Sequence, residues 1–473
     1  MGTVGGWLNG EDKRTTDGRH DRGRFSRPFR RDWPEAICSR RQRRSRACGV
    51  HRVYSHTYVS RWISGTVPRD AATRQAILDA LGAQLGRLVE PDELGFRVPG
   101  DAMNVGLAYP DRPEECVTTV AQLLDADLDL PGLGENVAPN VAAWNDASLA
   151  WLVGAQRRFG EGTVSAATGL SDVERLRSMR LMFDRLDNQY GGAHARRSLV
   201  EYLRTELPPL LRSKATSTVR RSMFSAAAEA TQLAAWMSYD SGLHGLAQRY
   251  FIQALGLADA ADDRLLAAGI LDAMSHQASF LGRFREAVNL ARAARLGTEA
   301  RGVQILTSHF HIIEARALAR MGDAKRCDEA MSAAVGAFER RGEGDGPEWI
   351  QYFDEAELAA ELSHCNRDLG RATVATRYAT QALGGASGDN IRSDFFVTMV
   401  LADSYIDQGE IAEGCRVAVN ALQVGEGIRS ARCQSYVDEF RQRLDPHMAS
   451  KTVRDFIAQV ERSRLWTPAR KDQ

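Results

Sequence analysis

Three kinds of signal are missing from this sequence. Its seven cysteines are odd in number and form no C-x-x-C pair, which argues against a disulfide framework or a zinc site and suits reduced thiols in a cytosol. No apolar run approaches the roughly 18 residues that a membrane helix needs, so we do not expect the chain to span a bilayer. These gaps exclude the small disulfide-rich and the integral membrane classes.

Catalytic motifs are missing as well. The chain has no Walker phosphate loop, no H-E-x-x-H and no G-x-S-x-G. His309 and His311 are two residues apart, and on a helix such side chains diverge, so they are poorly placed to hold one metal. We therefore expect neither an enzyme nor a bound cofactor or metal.

The formal net charge of zero conceals an uneven distribution. Residues 1–52 contain thirteen Arg and one Lys against six acids, a surplus of eight, so residues 53–473 must carry about minus eight. The first segment also has only four aliphatic side chains, and such a composition cannot bury enough surface to offset the entropy of ordering. We predict that residues 1–52 are disordered and that they are the part with bulk charge favouring nucleic acid.

A candidate DNA-reading helix follows. In "SHTYVSRWISGTVPRD", residues 55–70, an apolar stripe at i, i+3 and i+4 faces inward and Gly65 ends the helix. The outward side chains suit base edges and phosphates. The residues predicted to contact DNA are Thr57, Tyr58, Ser60, Arg61, Ser64 and Arg69. The plainer alternative is a helical hairpin with an exposed arginine.

The second feature is a repeat. Five segments share a turn glycine at spacings of 40, 40, 48 and 39 residues, with small residues 7 before, 5 after and 12 after each one. The glycines are Gly242, Gly282, Gly322, Gly370 and Gly409. Antiparallel helix pairs need small residues where their backbones meet, so this pattern is typical of tetratricopeptide (TPR) repeats. The chain is therefore predicted to be all-α, a truncated helix-turn-helix region followed by a TPR-like α-solenoid.

The first helix of each pair should line a concave face. Counting back from the glycines gives three columns of inward side chains, whose mixture of aromatic, basic and acidic groups suits a peptide or protein partner. The candidate groove residues are Trp236, His276, Arg316, His364, Asp403, Gln232, Asp272, His309 and Glu357. The alternative for each is an ordinary solvated helix face.

Composition also suggests the remaining boundaries. They are a partial helix-turn-helix at 53–96, a Pro- and Gly-rich linker at 97–140, a helical block at 141–228, the repeats at 229–465 and a tail at 466–473. In the block, "NQYGGAH" reads as a turn between two helices. A grouping of Asp187, Asn188, His194 and Arg197 could alternatively contact a ligand.

Several segments together resemble a known family. They are "YVSRWISGTVPRDAATRQAILDALGAQLGRLVEPDELGF", "LDNQYGGAHARRSLVEYL", "AAWMSYDSGLHGLAQRYFIQAL", "EWIQYFDEAELAAELSHCNRDLG" and "SARCQSYVDEFRQRLDPH". This combination, over about residues 53–465, is similar to actinobacterial regulators that join a Cro/repressor-type helix-turn-helix to TPR repeats. The resemblance implies a cytoplasmic transcriptional regulator, often one that restrains sporulation or secondary metabolism.

The resemblance fails upstream of Tyr54. The family has two helices there, whereas this chain has "RRQRRSRACGVHRVY", the Arg-, Gly- and Ser-rich composition of GC-rich DNA translated out of frame. We hypothesise that residues 1–52 come from a frameshift or a wrongly chosen start. The competing interpretation is a genuine basic arm that holds DNA phosphates.

Two functional classes remain open. The first is a DNA-binding regulator, expected to be a homodimer, whose TPR groove senses a peptide or protein. The second is a TPR adaptor that has lost competent DNA binding and acts only through protein partners.

Overall fold

The computed structural model describes residues 104–130, 132–154, 168–386, 388 and 390–467. The chain divides into two compact units between Met103 and Asn104, and every described residue belongs to the second. The predictions for residues 1–52 and 53–96, including all six DNA-contact residues, lie outside the described residues.

Five described helices precede the repeats. They are α1 (Pro113–Asp129), α2 (Leu133–Asn136), α3 (Val141–Val153), α4 (Leu170–Tyr190) and α5 (Gly192–Arg212). Helix α5 packs on α1 and on the first repeat helix, so this part of the chain covers one end of the repeat array.

The repeat region consists of consecutive helix pairs. Its helices are α6 (Ser217–Asp240), α7 (His244–Ala260), α8 (Arg264–Phe280), α9 (Phe284–Thr298), α10 (Gln304–Arg320), α11 (Ala324–Glu339), α12 (Glu355–Asp368), α13 (Ala372–Gly385), α14 (Ile391–Asp407), α15 (Ile411–Gly425), α16 (Ala431–Leu444) and α17 (Lys451–Val460). Successive first helices contact one another in one layer, and α16 and α17 continue the two layers against α14 and α15. The described residues contain no strand. The all-α, solenoid-like fold is confirmed.

Each of the five predicted glycines lies in a hairpin turn with positive φ. The φ angles are 80° at Gly242, 73° at Gly282, 73° at Gly322, 71° at Gly370 and 83° at Gly409. In the first turn the N–H of Leu243 donates to the carbonyl of Ser238 at 2.9 Å, the long bond of a Schellman motif, and the other four turns repeat it. Glycine is favoured here because a Cβ in this left-handed conformation strains the backbone.

The predicted small residues lie where the paired helices cross. The alanines twelve residues after the glycines are nearly inaccessible, with Ala254, Ala294 and Ala334 each 0% exposed. Ser275 donates its hydroxyl to the carbonyl of Ala287 in the partner helix at 2.8 Å. Such a bond requires close approach of the two helix backbones. The small residues spaced around each glycine therefore mark where the paired helices cross.

Helices of the described chain extend into two of the predicted boundary regions. The linker expected over residues 97–140 includes the 17-residue helix α1. In that helix, Asp127 forms an ion pair with Arg196 of α5 at 2.7 Å. Asp127 also accepts a hydrogen bond from the hydroxyl of Tyr250 in α7 at 2.8 Å. The segments that flank this helix are rich in Pro and Gly, and their composition obscured the apolar pattern of the helix. The repeats also begin before residue 229, because α6 starts at Ser217.

The longest glycine spacing, 48 residues, has a structural cause. Between α11 and α12 the chain makes an extra turn that includes a 3-10 segment, Glu348–Ile350. Trp349 lies over Gly269 of α8, where an added Cβ would meet the indole at 2.7 Å. The inserted residues therefore fold back onto the inner layer of first helices.

The crossing sites predict a stability difference within one helix. Ala421 of α15 is 1% exposed, so Ala421→Leu should lower the free energy of unfolding by about 1–3 kcal/mol through overpacking. Ala412 lies on the same helix and is exposed, and Ala412→Leu should change it by less than about 0.5 kcal/mol. Urea unfolding followed by far-ultraviolet circular dichroism measures both. Equal losses would contradict the assigned crossing.

Candidate partner-binding face

The inner layer brings the first predicted column together. The rings of Trp236 and His276, on α6 and α8, lie 5.5 Å apart between centroids in an edge-to-face arrangement. The hydroxyl of Tyr239 lies 3.1 Å from Nδ1 of His276. Sequence spacing therefore located neighbouring residues correctly on adjacent first helices.

The other three residues of that column contact side chains of the same chain. Arg316 forms an ion pair with Glu361 at 2.5 Å, and Asp403 accepts from Arg367 at 2.9 Å. His364 lies 3.4 Å from the hydroxyl of Tyr436. These groups are engaged with their own chain rather than free, and their role in a groove stays a prediction.

Arg367 illustrates how tightly this interior is paired. Its side chain is 2% exposed and contacts Asp403, Asp368 and Glu439 at 2.9, 2.8 and 3.3 Å. These neighbouring carboxylates outweigh burial and raise the pKa of Arg367 above its ordinary value. Removing one member of such a buried set leaves its partners unpaired, a loss of about 3–5 kcal/mol in comparable proteins.

A second cluster surrounds His309. Its Nδ1 lies 3.0 Å from Asp272, and its Nε2 lies 3.1 Å from the hydroxyl of Tyr352 on the inserted turn. Glu357, at the start of α12, accepts from Ser393 at a long 3.5 Å. Three predicted groove residues, Asp272, His309 and Glu357, thus share one region. Gln232, from the second column, is partly exposed on α6.

Proton affinities in this cluster are shifted. Burial, aided by the Glu361 carboxylate, raises the pKa of Glu357 to about 7. Burial by itself lowers the pKa of His309, but the carboxylates of Asp272 and Glu361 outweigh it, so the net direction is upward. Burial also raises the pKa of Asp272, against the effect of His309. The charge of this region therefore changes near neutral pH.

The first and last helix pairs meet across the inner face. Asp240, the last residue of α6, is 1% exposed and accepts from the Gly192 N–H and the Ser430 hydroxyl, both at 2.8 Å. Arg392 of α14 contacts it at 3.2 Å, and Arg432 at 3.9 Å. We call this junction, residues 190–193 and 428–432 with Asp240 and Arg392, the seam.

Backbone bonds complete the seam. The N–H of Arg429 donates to the carbonyl of Tyr190 at 2.7 Å, and the N–H of Ala193 donates to the carbonyl of Arg429 at 3.2 Å. Gly191 has φ of 83°, and an added Cβ would lie 2.5 Å from the Arg429 carbonyl oxygen. The two glycines of "NQYGGAH" therefore permit the close approach of two distant chain segments.

The alternative ligand grouping is not assembled. Asp187 and Asn188 both accept from Arg392, at 2.8 and 3.4 Å. The His194 ring lies 4.8 Å from that of Tyr190, and Arg197 leaves 72% of its side chain exposed. Asp187 and Asn188 thus extend the seam, and these four residues do not converge on one point.

Sequence reasoning missed the seam residues Asp240, Arg392 and Ser430, as well as Tyr352. A signal was present, because the segments "LDNQYGG", "MSYDSG" and "SARC", quoted for the family resemblance, are the ones that meet there. Their convergence could not be seen along the chain, since Ser430 and Asp240 are 190 residues apart.

Comparison with known proteins adds one match. In residues 33–97 the chain is similar to a family model described as the SP15 N-terminal domain. This stretch includes the predicted recognition helix and also residues 33–52 of the arginine-rich segment, and it lies outside the described residues. No curated protein and no solved structure matches the chain.

Membrane-spanning helices and metal-binding clusters are both absent from the described ranges. No helix there combines the length and apolarity that crossing a membrane requires. No group of three or more His, Cys, Asp or Glu side chains there is arranged to hold a metal ion.

The seam makes a prediction about two glycines. Gly282 also has positive φ, but an added Cβ would meet nothing within 4 Å, so Gly282→Ala should cost about 1–2 kcal/mol of strain. Gly191→Ala adds a clash with backbone and should cost at least about 3 kcal/mol. Thermal unfolding of both variants measures the difference. Similar losses would show that the seam contact is not tight.

The shifted carboxyl predicts a pH dependence. Glu357 holds its proton up to about pH 7 when folded but only to about 4.3 when unfolded, so its ionisation costs stability as pH rises between these values. Between pH 5 and 8 the free energy of unfolding of the wild-type protein should fall by about 2 kcal/mol relative to that of Glu357→Gln. This figure allows for solvent screening of the partly exposed group. Urea unfolding at both pH values tests this.

The matched control is Glu355→Gln, an exposed position on the same helix, whose stability difference from wild type should not vary with pH. A pH-independent difference for Glu357→Gln would refute the raised pKa.

Proposed function

We propose that this protein is a cytoplasmic DNA-binding transcriptional regulator, a repressor of differentiation or secondary metabolism, whose TPR-like domain senses a peptide or protein. DNA contact is assigned to the helix that carries Tyr58, Arg61 and Ser64, and partner sensing to the inner face of the repeats. A homodimer is the expected form, because a two-fold operator matches a two-fold protein.

One observation carries the sensing part of this proposal. The segments that resemble the family converge on the inner face and on the seam, where charged and aromatic side chains from most first helices come together. Apolar side chains would stabilise such a surface at least as well, because buried ion pairs contribute little net stability. A polar interior of this kind favours recognition of a polar partner.

The alternative is an adaptor that does not bind DNA. It is favoured by the sequence upstream of Tyr54, which lacks the apolar pattern of the two supporting helices that the family resemblance implies. The two functions differ in one measurable property, which is binding to an operator.

Gel-shift titration on the DNA upstream of the gene tests the proposal. We expect Arg61→Ala to weaken specific binding about tenfold, as for loss of one base contact worth 1–3 kcal/mol. Arg197→Ala removes the same charge from an exposed side chain in the repeat-containing unit and should leave binding unchanged.

Running the same titration with a chain whose first 52 residues are retranslated in the alternative frame separates the two functions. Binding by both chains supports the regulator. Binding by the corrected chain alone supports the adaptor for the sequence as written, and binding by neither rejects DNA recognition.

A further inference from the structure

The seam joins the two ends of the repeat array through one bridging arginine. Arg392 of α14 uses both terminal nitrogens, with Nη2 2.8 Å from Oδ2 of Asp187 and Nη1 3.2 Å from Oδ2 of Asp240. Both carboxylates are buried, with 4% and 1% of their side chains exposed. A single guanidinium therefore connects buried carboxylates on α4 and α6 to the far end of the array.

The hydrophobic core of the last helices does not continue across the seam. The apolar side chains of α16, such as Val437 and Phe440, belong to a cluster drawn from residues 391–466. Among the described residues, that cluster has no member from α4, α5 or α6. The seam is therefore a polar junction beside a core that lies on one side of it. Polar junctions between parts of one chain permit relative motion.

Two polar atoms of the seam have no hydrogen-bond partner. Oδ1 of Asp187 and Nε of Arg432 are buried and unpaired among the described residues. The guanidinium of Arg432 lies 3.9 Å from Asp240 and 5.0 Å from the ring centroid of Tyr239. Buried charges that are incompletely paired contribute little net stability. The closed seam is thus weaker than a junction of similar extent filled with apolar side chains.

The backbone bonds across the seam use groups that no helix needs. Arg429 lies between α15 and α16, outside both helices. Its N–H donates to the carbonyl of Tyr190, the last residue of α4, and its carbonyl accepts from Ala193 in the first turn of α5. The last carbonyls and first N–H groups of a helix have no partner within that helix. Breaking these bonds therefore leaves every helix intact.

We propose that the seam is a latch, and that α14–α17 part from α4–α6 as a body while the repeat helices stay folded. Opening separates the two arginines of the seam from Asp187 and Asp240 and widens access to the inner face. The inference rests on the proposed function only for the purpose of opening, which is to admit the sensed peptide or protein.

Native-state hydrogen exchange of the full chain tests the latch. Single amides are read by mass spectrometry over a series of low urea concentrations. The N–H groups of Ala193 and Arg429 report the seam, and those around Leu271, buried in the middle of α8, report the core. The seam amides should be at least about tenfold less protected than the α8 amides and should depend less on urea, because opening exposes less surface than unfolding.

Substitutions locate the latch. Arg392→Lys keeps the charge but loses the fork that reaches two carboxylates, so exchange at the seam should become severalfold faster while α8 is unchanged. Arg416→Lys makes the same replacement on α15, where the side chain is 67% exposed and paired with Glu413, and should alter neither. Circular dichroism checks that both variants are folded.

Two results would overturn the latch. One is exchange of the seam amides with the same protection and urea dependence as those of α8, since the ends would then part only on global unfolding. The other is unchanged seam exchange in Arg392→Lys. Gel shifts are scored separately. A chain whose seam opens but that binds no DNA rejects the regulator and keeps the latch, and the converse rejects only the latch.

Discussion

The carboxylate of Asp240 joins the two ends of the repeat array. It is buried at the end of the first repeat helix, and it takes donors from a helix start at Gly192, from Ser430 and from Arg392. Burying a charge is costly unless it is paired and hydrogen-bonded. The positions of α5, α14 and α16 around the inner face therefore all depend on satisfying this one group.

Closure at the seam changes what the inner face can offer to a partner. An open solenoid would present its columns of side chains to a long peptide. Here Arg316, His364 and Asp403 are engaged within the chain.

Much of the fold could be predicted because the repeat is local. A hairpin turn needs a residue that tolerates positive φ, and a helix crossing needs a small side chain. The spacing of Gly322 with Ala315 and Cys327 therefore predicted one helix pair from the sequence itself. Helix α1, within the predicted linker, was not foreseen because composition was weighed above its apolar spacing. The 48-residue spacing was visible, but nothing in it indicated that Trp349 would turn inward onto Gly269.

The sequence by itself determined the helix pairs, their turn glycines and the columns of the inner layer, because each follows from contacts between residues fewer than about 50 positions apart. Only the tertiary structure decided that the ends of the array meet and that Asp240 and Arg392 pair there. Those features depend on the small rotation between successive repeats, which accumulates along the array. Pairwise spacing does not encode that sum, which brings Asp240 to Ser430 across 190 positions.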